Sequence, residues 1–154
     1  QKTIQVLQQQ LAQVGIKISV QALEPGQRTE WVQAAPDPKT ARVRMYYAGW
    51  SASTGEADWA LRPLLATESW PPKSNNTAYY SSPVVDGALA AALKSVDEDE
   101  KTALYRKAQE QIMKDLPWAP LVTEQSIYAT SKRITGIHAM PDGNIIMDEI
   151  AAAK

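Results

Sequence analysis

Ile4, Leu7, Leu11 and Val14 recur at steps of three and four residues, and Gly15 stands where the stripe ends. That spacing places apolar side chains along one face of a helix, and glycine is the residue that most readily takes the left-handed turn closing one. The spacing predicts a helix over residues 3–14. The period then changes at once. Ile16, Ile18, Val20 and Ala22 alternate with Lys17, Ser19 and Gln21, the two-residue repeat of a strand with one buried face. A helix running through one glycine into a strand points to a layered α/β domain.

The remaining segments extend that pattern. Pro25-Gly26 breaks the strand, a short helix is expected over 27–35, and Pro36 and Pro38 stop it. Residues 43–48 are β-branched and aromatic enough for a second strand, which Gly49-Trp50 turns away from the sheet. A small polar loop, 51–55, leads into a helix over 57–65, and 66–82 forms the longest irregular stretch, of the length that is usually functional or mobile. Pro83 suits a first helical position, and Val85, Leu89, Leu93 and Val96 continue a stripe. Asp97 and Glu100 have the spacing of an acidic capping box opening a helix with Leu104, Ala108, Gln111 and Ile112, which runs to Asp115. Beyond Pro117, segments 118–123, 126–130 and 134–140 read as extended, and Pro141-Asp142-Gly143-Asn144 reads as a turn before Ile145-Ile146-Met147. The expectation is one α/β domain with a β-rich tail.

Composition removes most chemistry. A chain of 154 residues with 44% hydrophobic and 21% charged residues suits one folded domain. Lys and Arg total 16 against 17 Asp and Glu, so no basic field is present to hold nucleic acid. Zero Cys and a single His exclude disulfides, thiol nucleophiles and Cys/His zinc sites, and any histidine triad would have to use His138. Gly49-Trp50-Ser51-Ala52-Ser53 lacks the closing glycine of a nucleophile elbow. Asp97 to Glu100 are explained by the positive end of a helix, without the glycine and spacing of a calcium loop. Asn75-Asn76-Thr77 matches a glycosylation acceptor with nothing else to support it. No enzyme, no cofactor and no metal are expected. No apolar run reaches the ~18 residues of a membrane span. The start at Gln1, almost inside a helical pattern, is expected of part of a longer protein, and the absence of thiols is compatible with an oxidising compartment.

The richest stretch for binding is 42–59. Tyr46, Tyr47, Trp50 and Trp59 surround Ser51, Ser53, Thr54, Glu56 and Asp58. Flat apolar walls with several hydrogen-bonding groups make up the usual pocket for a small polar ligand, although the same aromatics could simply fill a core. Exposure of Trp50 beside a concave surface would favour binding, and its complete burial would favour a purely structural role.

Gly15-Ile16-Lys17-Ile18-Ser19-Val20, Met45-Tyr46-Tyr47-Ala48-Gly49-Trp50 and Gly55-Glu56-Ala57-Asp58-Trp59 occur in the order and spacing of a known family. In them the chain resembles the peptide-binding family of ABC-transporter solute-binding proteins, whose members include receptors for dipeptides, oligopeptides, nickel chelates and glutathione. Gly49 to Ala57, Asn75-Asn76-Thr77-Ala78-Tyr79-Tyr80 and Met140-Pro141-Asp142-Gly143-Asn144 are most similar to its glutathione-binding members. The resemblance spans nearly the whole chain.

It implies one lobe of a type II periplasmic-binding-protein-like fold, a mixed sheet flanked by helices, with a β-rich C-terminal tail. Family members are two-lobed and several times longer. Residues 1–117 would be most of the C-terminal lobe, and 118–154 a return segment packing toward the other lobe. Trp118, Leu121, Val122, Ile127 and Tyr128 would then be left uncovered, which favours self-association of the chain alone. The implied function is periplasmic capture of glutathione or a related short peptide for a membrane permease. A dipeptide or oligopeptide receptor and a ligand-free interaction domain are the alternatives. In the dipeptide-binding relatives an Asp pairs with the peptide ammonium, and Ser53 stands at the corresponding position. A buried ammonium without a carboxylate is costly. Ser51, Ser53 and Thr54 would supply hydroxyls, Arg62, or else Arg44, a carboxylate clamp. Glu56 or Asp58 would meet the ammonium, or cap the following helix.

Overall fold

The first helix is α1, Lys2–Gln13, in the computed structural model, which describes residues 2–123, 125–140 and 142–153. Gly15 closes it at φ +84°. The Ile16 N–H donates to the Leu11 carbonyl at 2.9 Å and the Gly15 N–H to the Ala12 carbonyl at 3.1 Å, the paired bonds that satisfy the last carbonyls of a helix. Ile4, Leu7 and Leu11 are half-buried, and Val14 is exposed.

Segments 16–22 and 43–48 are not strands, which corrects both expectations for one reason. Alternation defines which face of a strand is buried, but a strand exists only through a ladder to a neighbour. Neither segment pairs with a described strand, and Ile16, Val20, Met45, Tyr46 and Tyr47 stay exposed. The helix expected over 27–35 divides into α2, Pro25–Arg28, with proline in its first turn, and one π-helical stretch, Thr29–Gln33, that buries Val32.

The core lies among α3 (Ala57–Leu65), α4 (Pro83–Ala92) and α5 (Glu98–Asp115). Ala66, Val85, Ala88, Leu89, Ala92, Tyr105 and Ala108 form one buried cluster, with Leu61, Leu104 and Ile112 packed against it. Alanines on the facing sides of α4 and α5 let the two helices lie close, and Leu89 fills the middle with no exposed surface. Leu93 and Val96 do not join the stripe. The helix ends at Ala92, so both turn outward, and Val96 is 96% exposed.

Asp97 caps α5 as its spacing predicts, accepting the Glu100 N–H at 2.8 Å. The reciprocal half differs, because the Glu100 carboxylate accepts from the Ser95 hydroxyl instead. At the other end Leu116 takes a left-handed φ of 47° ahead of Pro117, whose ring disfavours the helical region for the residue before it.

The irregular stretch 66–82 is firmly tied. Asn76 is fully buried; its Nδ2 donates to the carbonyls of Ala66 at 2.9 Å and Tyr80 at 2.8 Å, and its Oδ1 accepts the Tyr80 N–H at 3.0 Å. Asp86 on α4 accepts from the Thr67 N–H at 2.9 Å and the Thr67 hydroxyl at 2.6 Å. The Asn75 carboxamide accepts from Gln33. Tyr80 reaches α5, where its hydroxyl donates to Asp115 Oδ2 at 2.6 Å and Gln111 adds Nε2 contacts at 2.8 and 2.9 Å.

Those donors, Tyr80 first and Gln111 second, hold the Asp115 carboxyl below its ordinary value. A carboxyl depressed by folding contributes stability above its unfolded pKa and loses it as pH falls through the folded one. Tyr80→Phe should therefore move the Asp115 titration upward, with part of the depression retained through Gln111, and flatten the acid limb of stability. Carboxyl titration by NMR checks this, and an unmoved Asp115 would count against the bond.

The tail carries less β-structure than expected. β1 (Ile134–Thr135) pairs antiparallel with β4 (Ala151–Ala152), and β2 (His138–Ala139) with β3 (Ile145–Ile146). The mixed sheet is absent among the described residues, which hold two two-stranded ladders, and 118–123 and 126–130 contain no described strand. The turn before β3 is seen from Asp142 onward, with Gly143 at φ +88° and Asp142 Oδ1 accepting the Asn144 N–H at 3.0 Å. Pro141 lies outside the described residues. Gly136 brings the chain so near Glu149 that a Cβ would sit 1.8 Å from its carbonyl oxygen. Trp118, Leu121, Val122, Ile127 and Tyr128 are exposed.

Candidate functional site

The loop 51–55 joins the segment carrying Tyr46 and Tyr47 to the first turn of α3. Gly55, at φ +70°, makes the tight turn in which its N–H donates to the Ala52 carbonyl at 3.0 Å. The Thr54 hydroxyl accepts the Glu56 N–H at 3.2 Å. Thr54 thus binds the backbone where an acidic cap was expected. Glu56 is the N-cap residue of α3 but makes no side-chain cap bond.

Asp58 does not cap either. Its carboxylate faces Arg62 one turn later, with Arg62 Nη2 2.8 Å from Oδ1 and Nε 2.9 Å from Oδ2. Arg62 also donates to Glu68 Oε1 at 3.0 Å and to the Leu89 carbonyl at 2.9 Å. The hydrogen bond to Asp58, opposed by burial and aided by Glu68, raises the guanidinium pKa. Arg62 therefore fastens α3 to α4 and holds two carboxylates, an arrangement that leaves little capacity for a ligand carboxylate.

The aromatic residues are at the surface. Trp50 is 42% and Trp59 45% exposed, their ring centroids 6.3 Å apart and inclined at 41°, and Trp50 Nε1 donates to the Trp59 carbonyl at 3.1 Å. One bond thus orients the indole while its face stays open to solvent. Tyr46 and Tyr47 are exposed beside it. Ser51 Oγ donates to the Asp142 carbonyl at 3.3 Å, so the loop touches the hairpin of the tail. Ser53 is exposed.

One concavity is formed by Tyr46 and Arg44 with residues that the sequence did not place beside them, Trp31, Val32, Ala41, Val43, Thr77 and Tyr79. Trp50 does not line it. Tyr79 donates to the Ala35 carbonyl at 2.8 Å, and burial first, then the charge of Asp37, pushes its phenol pKa up. Arg42 lies 3.3 Å over the Trp31 ring, within 3.8 Å of Glu30. The distances along the chain, from Trp31 to Tyr79, explain why pattern reading missed this grouping. A wider depression of about 280 Å³ lies between the start of α3 and α5, against Ala57, Thr102, Tyr105, Arg106 and Gln109.

Among the described residues no group of three or more His, Cys, Asp or Glu is arranged to hold a metal ion, and no helix is long and apolar enough to cross a membrane. His138 Nε2 lies 3.0 Å from Glu149 Oε2 on the exposed tail.

No protein-family model matches the chain. It is 53% identical over 149 residues to "Glutathione-binding protein GsiB" of Salmonella choleraesuis (strain SC-B67), a match covering 97% of this chain and 29% of that protein. The proteins of that name from Pectobacterium atrosepticum and Escherichia coli (strain K12) are each 55% identical over 142 residues, 92% of this chain. The chain thus spans under a third of the length of the curated relatives it matches, 27% and 28% in these last two. Among solved structures, "Clavulanic acid biosynthesis oligopeptide binding protein 2" superposes with a TM-score of 0.81 at 18% identity, covering 98% of this chain and 28% of that one. The chain therefore has the fold of part of a type II periplasmic-binding-protein-like molecule, and in sequence it is similar, over nearly all its length, to a stretch of glutathione-binding proteins.

Proposed function

We propose that this chain is part of the substrate-binding component of an ABC importer, which captures glutathione or a closely related short peptide between two lobes in the periplasm and passes it to a membrane permease without chemical change. The observation that carries this reading is the 53% identity over 97% of the chain to glutathione-binding proteins. The open faces of Trp50, Trp59, Tyr46 and Tyr47 support it, since a site that closes on its ligand needs apolar walls that are bare until then. On the same reading residues 1–117 are most of the C-terminal lobe. The exposed apolar residues of 118–154 then face the other lobe.

Ser53 bears on the ligand. Glutathione carries its ammonium on a γ-glutamyl branch and has two carboxylates, so its anchors differ in spacing from those of a plain dipeptide. An exposed serine offers a hydroxyl but no charge to an α-ammonium. Calorimetric titration of the full-length receptor should give heat with glutathione and none with dialanine. Heat with dialanine alone would overturn the glutathione assignment, and heat with neither would overturn the peptide reading. Trp50→Ala should weaken glutathione binding about tenfold, the loss expected for one partly exposed aromatic wall, or about 1.4 kcal/mol. Unchanged affinity would remove Trp50 from the site.

A further inference from the structure

We infer that the pocket lined by Arg44 is an anion subsite that receives one carboxylate of the ligand, an inference that rests on the peptide reading above and adds to it a named cation. Three arginines lie near the aromatic loop, and the structure assigns them different work. Arg62 is held by Asp58 and Glu68, at 2.8 and 3.0 Å. Arg42 covers the Trp31 ring and lies within reach of Glu30. Arg44 Nη1 donates to the Pro38 carbonyl at 2.9 Å, a neutral acceptor, and among the described residues no carboxylate lies within 4.0 Å of it. One carbonyl uses one of its five N–H groups.

The surroundings suit a carboxylate. No acidic side chain lines the pocket. The nearest acid in the turn beneath, Asp37, directs Oδ1 to the Lys39 N–H at 2.6 Å, although its charge still reaches Tyr79. The carbonyl bond holds the guanidinium in place, and Trp31, Val43, Tyr46 and Thr77 line the pocket around it. The space is about 40 Å³, enough for a few waters or one carboxylate head but not for a whole peptide. Tyr46 lines this pocket and is itself exposed, so a ligand lying over Tyr46 would bring one end to Arg44.

The test uses N-acetylglycine, a minimal carboxylate, and its neutral amide, each titrated into the full chain at millimolar concentration while the backbone amide signals of Arg44, Thr77 and Tyr79 are followed by NMR. The acid should shift them, the amide should not, and Arg44→Gln should abolish the response while the signals of α4 and α5 stay where they were. No shift with the acid, or an equal shift with the amide or in the variant, overturns the subsite. In a parallel calorimetric titration of the full-length receptor, Arg44→Gln should weaken glutathione at least tenfold and leave its diethyl ester unaffected; an equal loss for both ligands also overturns it. Wild-type protein that responds to N-acetylglycine but not to glutathione would retain the anion subsite and overturn the proposed ligand instead.

Discussion

Asn76→Ala is expected to lower the unfolding free energy by about 3 kcal/mol, because it leaves a backbone N–H unpaired and a void beside it. The side chain has no exposed surface. Of its partners, the Tyr80 carbonyl keeps a second donor, Trp70 Nε1 at 2.8 Å. The Ala66 carbonyl likewise keeps the Ser69 N–H at 3.0 Å, whereas the Tyr80 N–H loses its carboxamide acceptor. That one orphan at about 1–3 kcal/mol, together with the void left by a fully buried carboxamide, sets the size of the effect, which is roughly 10 °C in Tm for a chain this long. Chemical and thermal unfolding measure it, and a loss under about 1 kcal/mol would mean that the stretch 66–82 relaxes without its central residue. The change should also reach the anion pocket, since Thr77 and Tyr79 follow Asn76 directly and Tyr79 holds a left-handed φ of 52° that the Asn76 bonds brace.

That same residue marks the limit of what the sequence discloses. Asn76 attracts notice in the sequence only inside a glycosylation tripeptide and a stretch of family resemblance, whereas its work, joining Ala66 to Tyr80, is visible only once the loop is folded. Features governed by nearest neighbours were legible. Gly15 ends α1, α3 occupies Ala57–Leu65, Pro83 opens α4 and Asp97 caps α5, each set by contacts within a few residues. Features that need a partner far along the chain were not. The segments 16–22 and 43–48 have strand patterning without a ladder, and the stripe from Val85 fails after Leu89 because the helix stops. The site divides the same way. The exposed aromatics and the polar loop stand together because they are adjacent in sequence. Asp58 and Arg62, one helical turn apart, proved to satisfy each other, while Arg44 meets Trp31, Thr77 and Tyr79 only through folding.

If the chain acts as one side of a two-lobed receptor, it should by itself bind glutathione at least a hundredfold more weakly than the full-length Escherichia coli relative. The argument is one of geometry. Trp50, with 42% of its surface open, can cover one face of a ligand but not both. The remaining anchors would have to come from a second surface that closes over the first. A hundredfold in Kd is about 2.7 kcal/mol, which two or three hydrogen bonds, one of them charged, supply. Closure adds a second contribution, since ligand held by both lobes stabilises the closed arrangement, whereas ligand on one lobe has no such equilibrium to shift. Parallel calorimetry at one pH and ionic strength decides the matter. Affinities within tenfold of each other would mean that this chain holds nearly the whole site, and that Trp50, Tyr46 and Arg44 account for recognition without a second lobe.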